Sequence, residues 1–565
     1  MTTEINIMVG GEAGQGVQSV GFLLAKAFIR WGYYVFADQD YESRVRGGHN
    51  FFRVRAGDNP VNAISEKIDV LIALNKESID LHRAEIKDDG LVVYDGEKIE
   101  QPRSRNLLSV PIERLAKDSP GDILMANTVA LGATLSLVGY DIELLKGLLT
   151  GFFRGEAALK NVQAAEAGYR YVQESSTVSF SNKLKKISNV RRMLLNGNEA
   201  IALGAIAAGC KFMSAYPMTP VTSIMEYLAG KSEEFGLVVV PAEDEIAAIN
   251  MVIGAAYAGV RAMTATSGGG FCLMVEGVGL AGMTETPIVV IEGQRAGPAI
   301  GLPTRTEQAD LEFIIHAAHG EFPRVVFAPA TIDDCFWLAV KAFNLAERYQ
   351  LPVLILSDHY LAGSYFTTDK FDLNRVTIDR GLLFTENKGG SEYKRHAYTE
   401  SGISPRAYPG DKNALVVTDS DEHDEAGHLI EDAETRTKMM DKRLRKLNGL
   451  KEETIQPKFY GPANADILLV GWGSTNGVIK EAVDMVNESG GNCGSLHLSQ
   501  LWPFPVESVT AAIKKARKSY VIENNATGQL AKLIRRETGL SVSNNILKYD
   551  GRPFTPTQIL RELRK

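Results

Sequence analysis

Short apolar runs alternate with amphipathic stretches of helical period along most of this chain, separated by glycine- or proline-marked turns of a few residues. An apolar run flanked by helices on both sides has no solvated face, so it belongs to a sheet covered above and below, and such sheets are mostly parallel. The expected fold is therefore α/β, with several α/β domains. The pattern begins with a strand at 5–9, a glycine turn and a helix at 18–29, and continues through strands at 33–37, 70–73 and 91–94 to about residue 180. It restarts at Gly197, with strands at 211–216, 237–240, 261–266, 287–292, 324–328 and 353–357, and again at Asp466, with strands at 467–470, 495–498 and 519–522. These restarts predict a first α/β domain over 1–180, a linker at 181–195 and a second domain over 196–370. A charged excursion over 371–462 with one exposed helix and a compact C-terminal domain over 463–565 follow.

At 565 residues the chain is too long for one core, which agrees with such a division. The formal charge of -8, from 61 basic and 69 acidic residues, argues against a nucleic-acid or anionic-membrane role. No apolar run reaches the roughly 18–20 residues of a membrane helix, and MTTEINIMVGGEAGQG lacks the basic start and apolar core of a secretory signal, so a cytoplasmic protein is expected. Cys210, Cys272, Cys335 and Cys493 are widely spaced, without a CxxC pair, and are expected to be buried packing thiols. His423 and His428 lack the spacing of a helical HExxH site, and no metal is assigned.

Chemistry-bearing residues cluster where strands end. Tyr216-Pro217-Met218-Thr219-Pro220 follows a strand, and its two prolines impose an extended turn that presents Thr219 at the ligand-binding edge of an open sheet. Taken alone, Thr219 reads more readily as a helix N-cap in a tight strand-to-helix connection, and it is the accompanying motifs that overturn this. Glu243, Asp244 and Glu245 open a helix, where acids also suit the dipole. The turn at 267–270, Ser-Gly-Gly-Gly, either admits a ligand against its backbone or is a tight strand–helix junction. In the first domain Gly10, Gly11, Gly14 and Gly16, with Asp38 further on, invite a dinucleotide reading. Their G-x-x-G-x-G spacing differs from the G-x-G-x-x-G fingerprint, although an anion at the helix start is still compatible with them.

The segment 216–220 resembles the YPITP signature of the 2-oxoacid:ferredoxin oxidoreductase family. The likeness continues in order through PAEDEIAAINMVIGAAYAG, TATSGGGFCLM, IEGQRAGPAIGLPTRTEQADL and EHDEAGH to the terminal domain. The first domain is similar to the family's gamma domain, fused ahead of the alpha domains, and the fusion order and the ending KYDGRPFTPTQI resemble members acting on 2-oxoglutarate. The resemblance implies a thiamine-enzyme pyrimidine-type domain and a transketolase C-terminal-like domain. It implies Glu245 as the glutamate on the pyrimidine ring of thiamine diphosphate, with Tyr216, Pro217, Ser267, Gly268 and Gly269 near the cofactor. Thr219 and Arg295 would hold the substrate carboxylate, and Arg305 is the candidate for a second carboxylate. Coenzyme A would be a co-substrate, with Gly14, Gly16, Arg44 and Arg46 as possible contacts.

No GDG-type diphosphate and metal motif and no cluster-ligating cysteine set occur in the chain. By resemblance, a beta subunit would carry Mg2+, a [4Fe-4S] cluster and the diphosphate half of a shared cofactor site, in an alpha2beta2 heterotetramer that reduces ferredoxin. The alternatives are the same chemistry on pyruvate or a branched 2-oxoacid, a non-catalytic subunit that gates the beta chain, and a nicotinamide dehydrogenase, which the glycine spacing disfavours.

Overall fold

The structure is a computed structural model and describes residues 3–43, 47–101, 106–175, 180–385 and 392–565. Contacts divide the chain into two compact units, Met1–Leu195 with Ser364–Lys370, and Asn196–Gly363 with Phe371–Lys565.

The first unit is built on an eight-stranded sheet in the order Leu107–Val110, Ile86–Asp95, Ile68–Ala73, Glu4–Ala13, Gly47–Gly57, Tyr34–Asp40, Tyr365–Thr368, Met193–Asn196. From Glu4–Ala13 one half is parallel, but the other half contains antiparallel pairs, so this sheet is mixed. The cause is a strand that apolar runs do not reveal. In Gly47–Gly57, Phe52, Val54 and Ala56 face the core while Arg53 and Arg55 alternate with them. Arg53 bonds the Asp38 carboxylate on the neighbouring strand and Arg55 bonds Glu4, so each arginine is neutralised across the sheet. Asp38 is thereby engaged internally, which removes the acidic residue of the dinucleotide reading. The expected glycine turn after Val9 is also displaced, because the first strand runs through Gly10 and Gly11 to Ala13. The turn comes at Gly14 and Gly16, both left-handed. Gly16 caps helix Val17–Arg30, and a Cβ there would lie 1.8 Å from the Asn127 side-chain nitrogen.

The second unit holds two sheets. The larger runs Gln500–Trp502, Val325–Phe327, Pro352–Asp358, Ile288–Gln294, Ala262–Thr266, Phe212–Ala215, Val238–Pro241, and is parallel except at its Gln500–Trp502 edge. The smaller runs Lys458–Tyr460, Cys493–Leu498, Ile467–Trp472, Lys518–Glu523, Asn544–Leu547, parallel except at Lys458–Tyr460. One apolar cluster, including Ile249, Phe271, Val290, Trp472, Leu498 and Leu530, spans both sheets.

The helix of the charged excursion is exposed on one face only. Helix Ala433–Glu452 buries Met439, Lys442, Arg443, Lys446 and Leu450. Lys442 and Lys446 each reach the Glu285 carboxylate at 2.5 Å, and His396 Nδ1 lies 2.9 Å from it, with all four residues buried. Arg261, Arg380 and Arg406 surround buried Glu347 in the same way. A charge-rich sequence thus folds inward because its cations meet buried anions placed by the sheet domain, which composition cannot reveal. His423 is also buried, its ring tilted against that of His396 with centroids 4.0 Å apart, whereas His428 is exposed. Three cysteines are buried, but Cys272 is exposed, contrary to the expectation for all four.

Burial opposes the charge of Glu285, but Lys442 and Lys446 outweigh it and hold the carboxyl well below its ordinary range. Replacing it by alanine leaves two buried ammonium groups without an anion, and denaturant unfolding should show a loss of about 3–5 kcal/mol. A depressed carboxylate adds stability above its unfolded value of 4.5 that disappears as pH falls through the lower folded value. The wild type should therefore show an acid-side loss of stability that Glu285→Ala lacks.

Candidate functional site

The larger sheet of the second unit is parallel across six successive strands, so the loops after Phe212–Ala215, Val238–Pro241, Ala262–Thr266, Ile288–Gln294 and Pro352–Asp358 leave by one edge. Nearly all the residues singled out between 216 and 305 lie on these loops.

Glu245 is the first residue of helix Glu245–Tyr257, whose N-cap Asp244 accepts a hydrogen bond from Ala247 N at 2.7 Å. Glu243 and Asp244 are exposed, whereas Glu245 is 4% exposed. Its Oε1 is buried and receives no hydrogen bond among the described residues, an expensive state for a carboxylate unless a ligand donates to it. Gly270 packs against this oxygen: a Cβ there would come within 2.4 Å of Oε1 and 2.2 Å of Thr266 Oγ1. The glycine of the 267–270 turn therefore makes room for the carboxylate itself. Ser267 is also buried, its Oγ without a hydrogen bond among the described residues, and Gly269 is exposed. A Cβ on Gly268 would meet Asp310 Oδ2 at 2.6 Å.

The 216–220 loop is anchored from two sides. Asn198 donates to the Pro220 carbonyl at 2.7 Å, and Arg295 Nη1 donates to the Thr219 carbonyl at 2.9 Å. Thr219 is half-buried, while Tyr216 and Pro217 are exposed at the rim. Arg295 directly follows strand Ile288–Gln294 and is partly buried. Burial lowers its pKa, and Glu292 opposes that effect.

Arg305 lies on a segment held against the smaller sheet. Gln308 donates to the Trp472 carbonyl at 3.0 Å and accepts from Asn524 N at 3.1 Å, while Asn525 donates to the Gln308 carbonyl at 3.0 Å. The Cβ of Arg305 packs over Gly551, and Thr306 N donates to the Gly551 carbonyl at 3.3 Å. The terminal domain thus positions this arginine.

Residues that periodicity passes over complete the edge. His359 is buried, and burial, followed by the charges of Arg305 and Arg295, pushes its pKa down to about 4. A neutral imidazole therefore sits in the field of both arginines. Glu292 and Asp358 are fully buried, and burial raises both carboxyls, Glu292 well above its usual range. Their signal in the sequence was an acid at the end of an otherwise apolar strand, IVVIEGQ and PVLILSD. Among the described residues, no group of three or more His, Cys, Asp or Glu side chains is arranged to hold a metal. Gly14 and Gly16 belong to the first unit, and Arg44 and Arg46 lie outside the described residues.

Residues 203–442 match the profile described as "Pyruvate flavodoxin/ferredoxin oxidoreductase, thiamine diP-bdg". Residues 6–171 match "Pyruvate ferredoxin/flavodoxin oxidoreductase", and residues 465–559 match "Pyruvate:ferredoxin oxidoreductase core domain II". The chain is 34% identical to the 2-oxoacid:ferredoxin oxidoreductase subunit alpha of a Sulfolobus species, over 99% of this chain and 96% of that one. It is 34% identical to the 2-oxoglutarate synthase subunit KorA of Methanothermobacter thermautotrophicus, over 66% of this chain and 98% of the relative. Among solved structures it is similar to the 2-oxoglutarate:ferredoxin oxidoreductase of Magnetococcus marinus, with a TM-score of 0.92 and 33% identity, covering 100% of this chain and 99% of that one. The chain therefore belongs to the 2-oxoacid:ferredoxin oxidoreductase family, as an alpha subunit with a thiamine-diphosphate-binding domain.

Proposed function

We propose that this alpha subunit serves the coenzyme-A-dependent oxidative decarboxylation of 2-oxoglutarate to succinyl-CoA and carbon dioxide, with reduction of ferredoxin, or the reverse carboxylation. The observation that carries the substrate choice is the pair Arg295 and Arg305, both acting on His359, since a dicarboxylate calls for two cations. The Magnetococcus marinus enzyme, whose structure holds 2-oxoglutarate, coenzyme A and succinyl-CoA, supports this choice.

The residues present fit thiamine diphosphate. Glu245 Oε1, beside Gly270 and without a donor among the described residues, suits a protonated ring nitrogen, and the exposed Gly269 backbone leaves approach room for a flat ring. When bound, the cofactor supplies the electron sink that decarboxylation of a 2-oxoacid needs. Glu245 would hold a proton at the ring nitrogen. Arg295 would fix the substrate's 1-carboxylate, and its bond to the Thr219 carbonyl keeps the guanidinium in place while the Thr219 hydroxyl donates to the same substrate. Arg305 would bind the distal carboxylate. Tyr216, Pro217 and Ser267 would border the ring.

A partner would complete the site, because the chain has no GDG motif. Val238, Ile246, Met251 and Leu273, on the elements around Glu245, are 55%, 51%, 42% and 49% exposed, an apolar surface suited to a second chain. We assign that place to a beta subunit with Mg2+, a [4Fe-4S] cluster and the diphosphate contacts, in an alpha2beta2 assembly. Coenzyme A contacts are assigned to Gly14, Gly16, Arg44 and Arg46. A reading of the chain as a purely gating subunit requires Glu245 and Arg295 to be dispensable.

Glu245→Ala in the complex with the partner chain should lower kcat by at least about 100-fold with unchanged thermal unfolding, whereas Glu243→Ala stays near wild type. Most activity remaining in Glu245→Ala would remove the residue from this role. Gly270→Ala should weaken thiamine diphosphate binding, read by titration, because its methyl group displaces the Glu245 carboxylate. Arg305→Ala should raise KM for 2-oxoglutarate about tenfold or more and leave pyruvate nearly unaffected. An equal effect on both substrates would contradict the dicarboxylate assignment.

A further inference from the structure

Glu292 lies within the strand Ile288–Gln294 and is 0% exposed. Its sheet neighbours are Thr266 and Leu356. Among the described residues no N–H or hydroxyl donates to either of its carboxylate oxygens. The group it does meet is the Asp310 carboxyl. A hydrogen bond between two carboxyl groups exists only when one carries a proton, and a buried carboxylate without donors is far more costly than the acid. Burial, then the charge of Asp310, moves the Glu292 pKa well up, while Asp310 is raised to about 6. Full burial and the lack of any donor to its oxygens among the described residues favour the protonated form of Glu292, with Asp310 as the acceptor beside it. The charged or titratable groups facing the pair are Asp358 and Arg295 toward Glu292, and Glu307 and Cys272 toward Asp310.

Arg295 stands three residues beyond Glu292, and Glu292 is the one acid whose charge acts on it among the described residues. An ionised Glu292 would be an internal counterion that competes with any carboxylate brought to Arg295. We propose that Glu292 is a neutral carboxylic acid donating to Asp310, a positioning residue whose neutrality leaves the Arg295 charge available to the carboxylate of the 2-oxoacid. Asp310, packed on the backbone of Gly268, ties this proton to the 267–270 turn. The inference rests on Arg295 as the substrate clamp.

The test uses the assembled enzyme and 2-oxoglutarate, with infrared difference spectra on substrate binding and KM as a function of pH. A protonated-carboxyl band is expected in the wild type and absent in Glu292→Gln. That variant should keep KM within about threefold at neutral pH and show no alkaline rise, whereas the wild-type KM rises as Glu292 ionises. Asp310→Asn, which removes the neighbouring charge, should shift that rise to lower pH and keep the band. A wild type without the band, or a Glu292→Gln KM raised about tenfold at neutral pH, overturns the proposal. An Arg295→Ala enzyme with unaltered KM and the Glu292 band intact overturns the Arg295 clamp and the role assigned to the acid pair, while leaving the protonation itself established.

Discussion

Parallel strand pairing is the constraint on which the second unit depends. In a parallel sheet every strand delivers its C-terminal end to the same edge, so residues separated by more than a hundred positions converge without long-range design of each contact. Thr219, Glu245, the 267–270 turn, Arg295 and His359 each follow a different strand of one sheet. The two antiparallel strands, Gln500–Trp502 and Lys458–Tyr460, are confined to edges and do not disturb this convergence. Gln500–Trp502 also joins the terminal domain to the larger sheet, and the Gln308 hydrogen bonds to Trp472, Asn524 and Asn525 extend that junction to the Arg305 segment.

Buried glutamates show how environment assigns roles to one side chain. Glu285 and Glu347 are each surrounded by cations and fasten the charged excursion to the sheet domain. Glu523 is satisfied by donors from Leu530, Asn525 and Trp472, which settle the turn of the terminal domain. Glu245 has a buried oxygen without a donor among the described residues, and Glu292 meets another acid. The first three are finished structure. The last two are the chemically unfinished groups, and both face the edge where the strand-end loops gather.

Much of this was legible in the chain itself. Runs such as IVVIEGQ and PVLILSD have no polar face, so a doubly covered parallel sheet follows from their composition, and ligand residues at strand ends follow from that geometry. The strand Gly47–Gly57 was not legible, because its alternating arginines resemble a loop until Asp38 and Glu4 lie beside them. Helix Ala433–Glu452 misled for the same reason. Lys442 and Lys446 look solvated in a sequence and become core residues only when Glu285 is opposite.

The sequence by itself therefore determined the layer architecture of the second unit, its ligand edge and the identity of its strand-end loops, because period and turn chemistry are local properties. Tertiary structure alone decided which of Glu243, Asp244 and Glu245 is buried, that His359 shares the field of Arg295 and Arg305, and that Glu292 meets Asp310. Charge and protonation depend on what lies across space, and a linear chain records neither the partner of an ionisable group nor its distance from water.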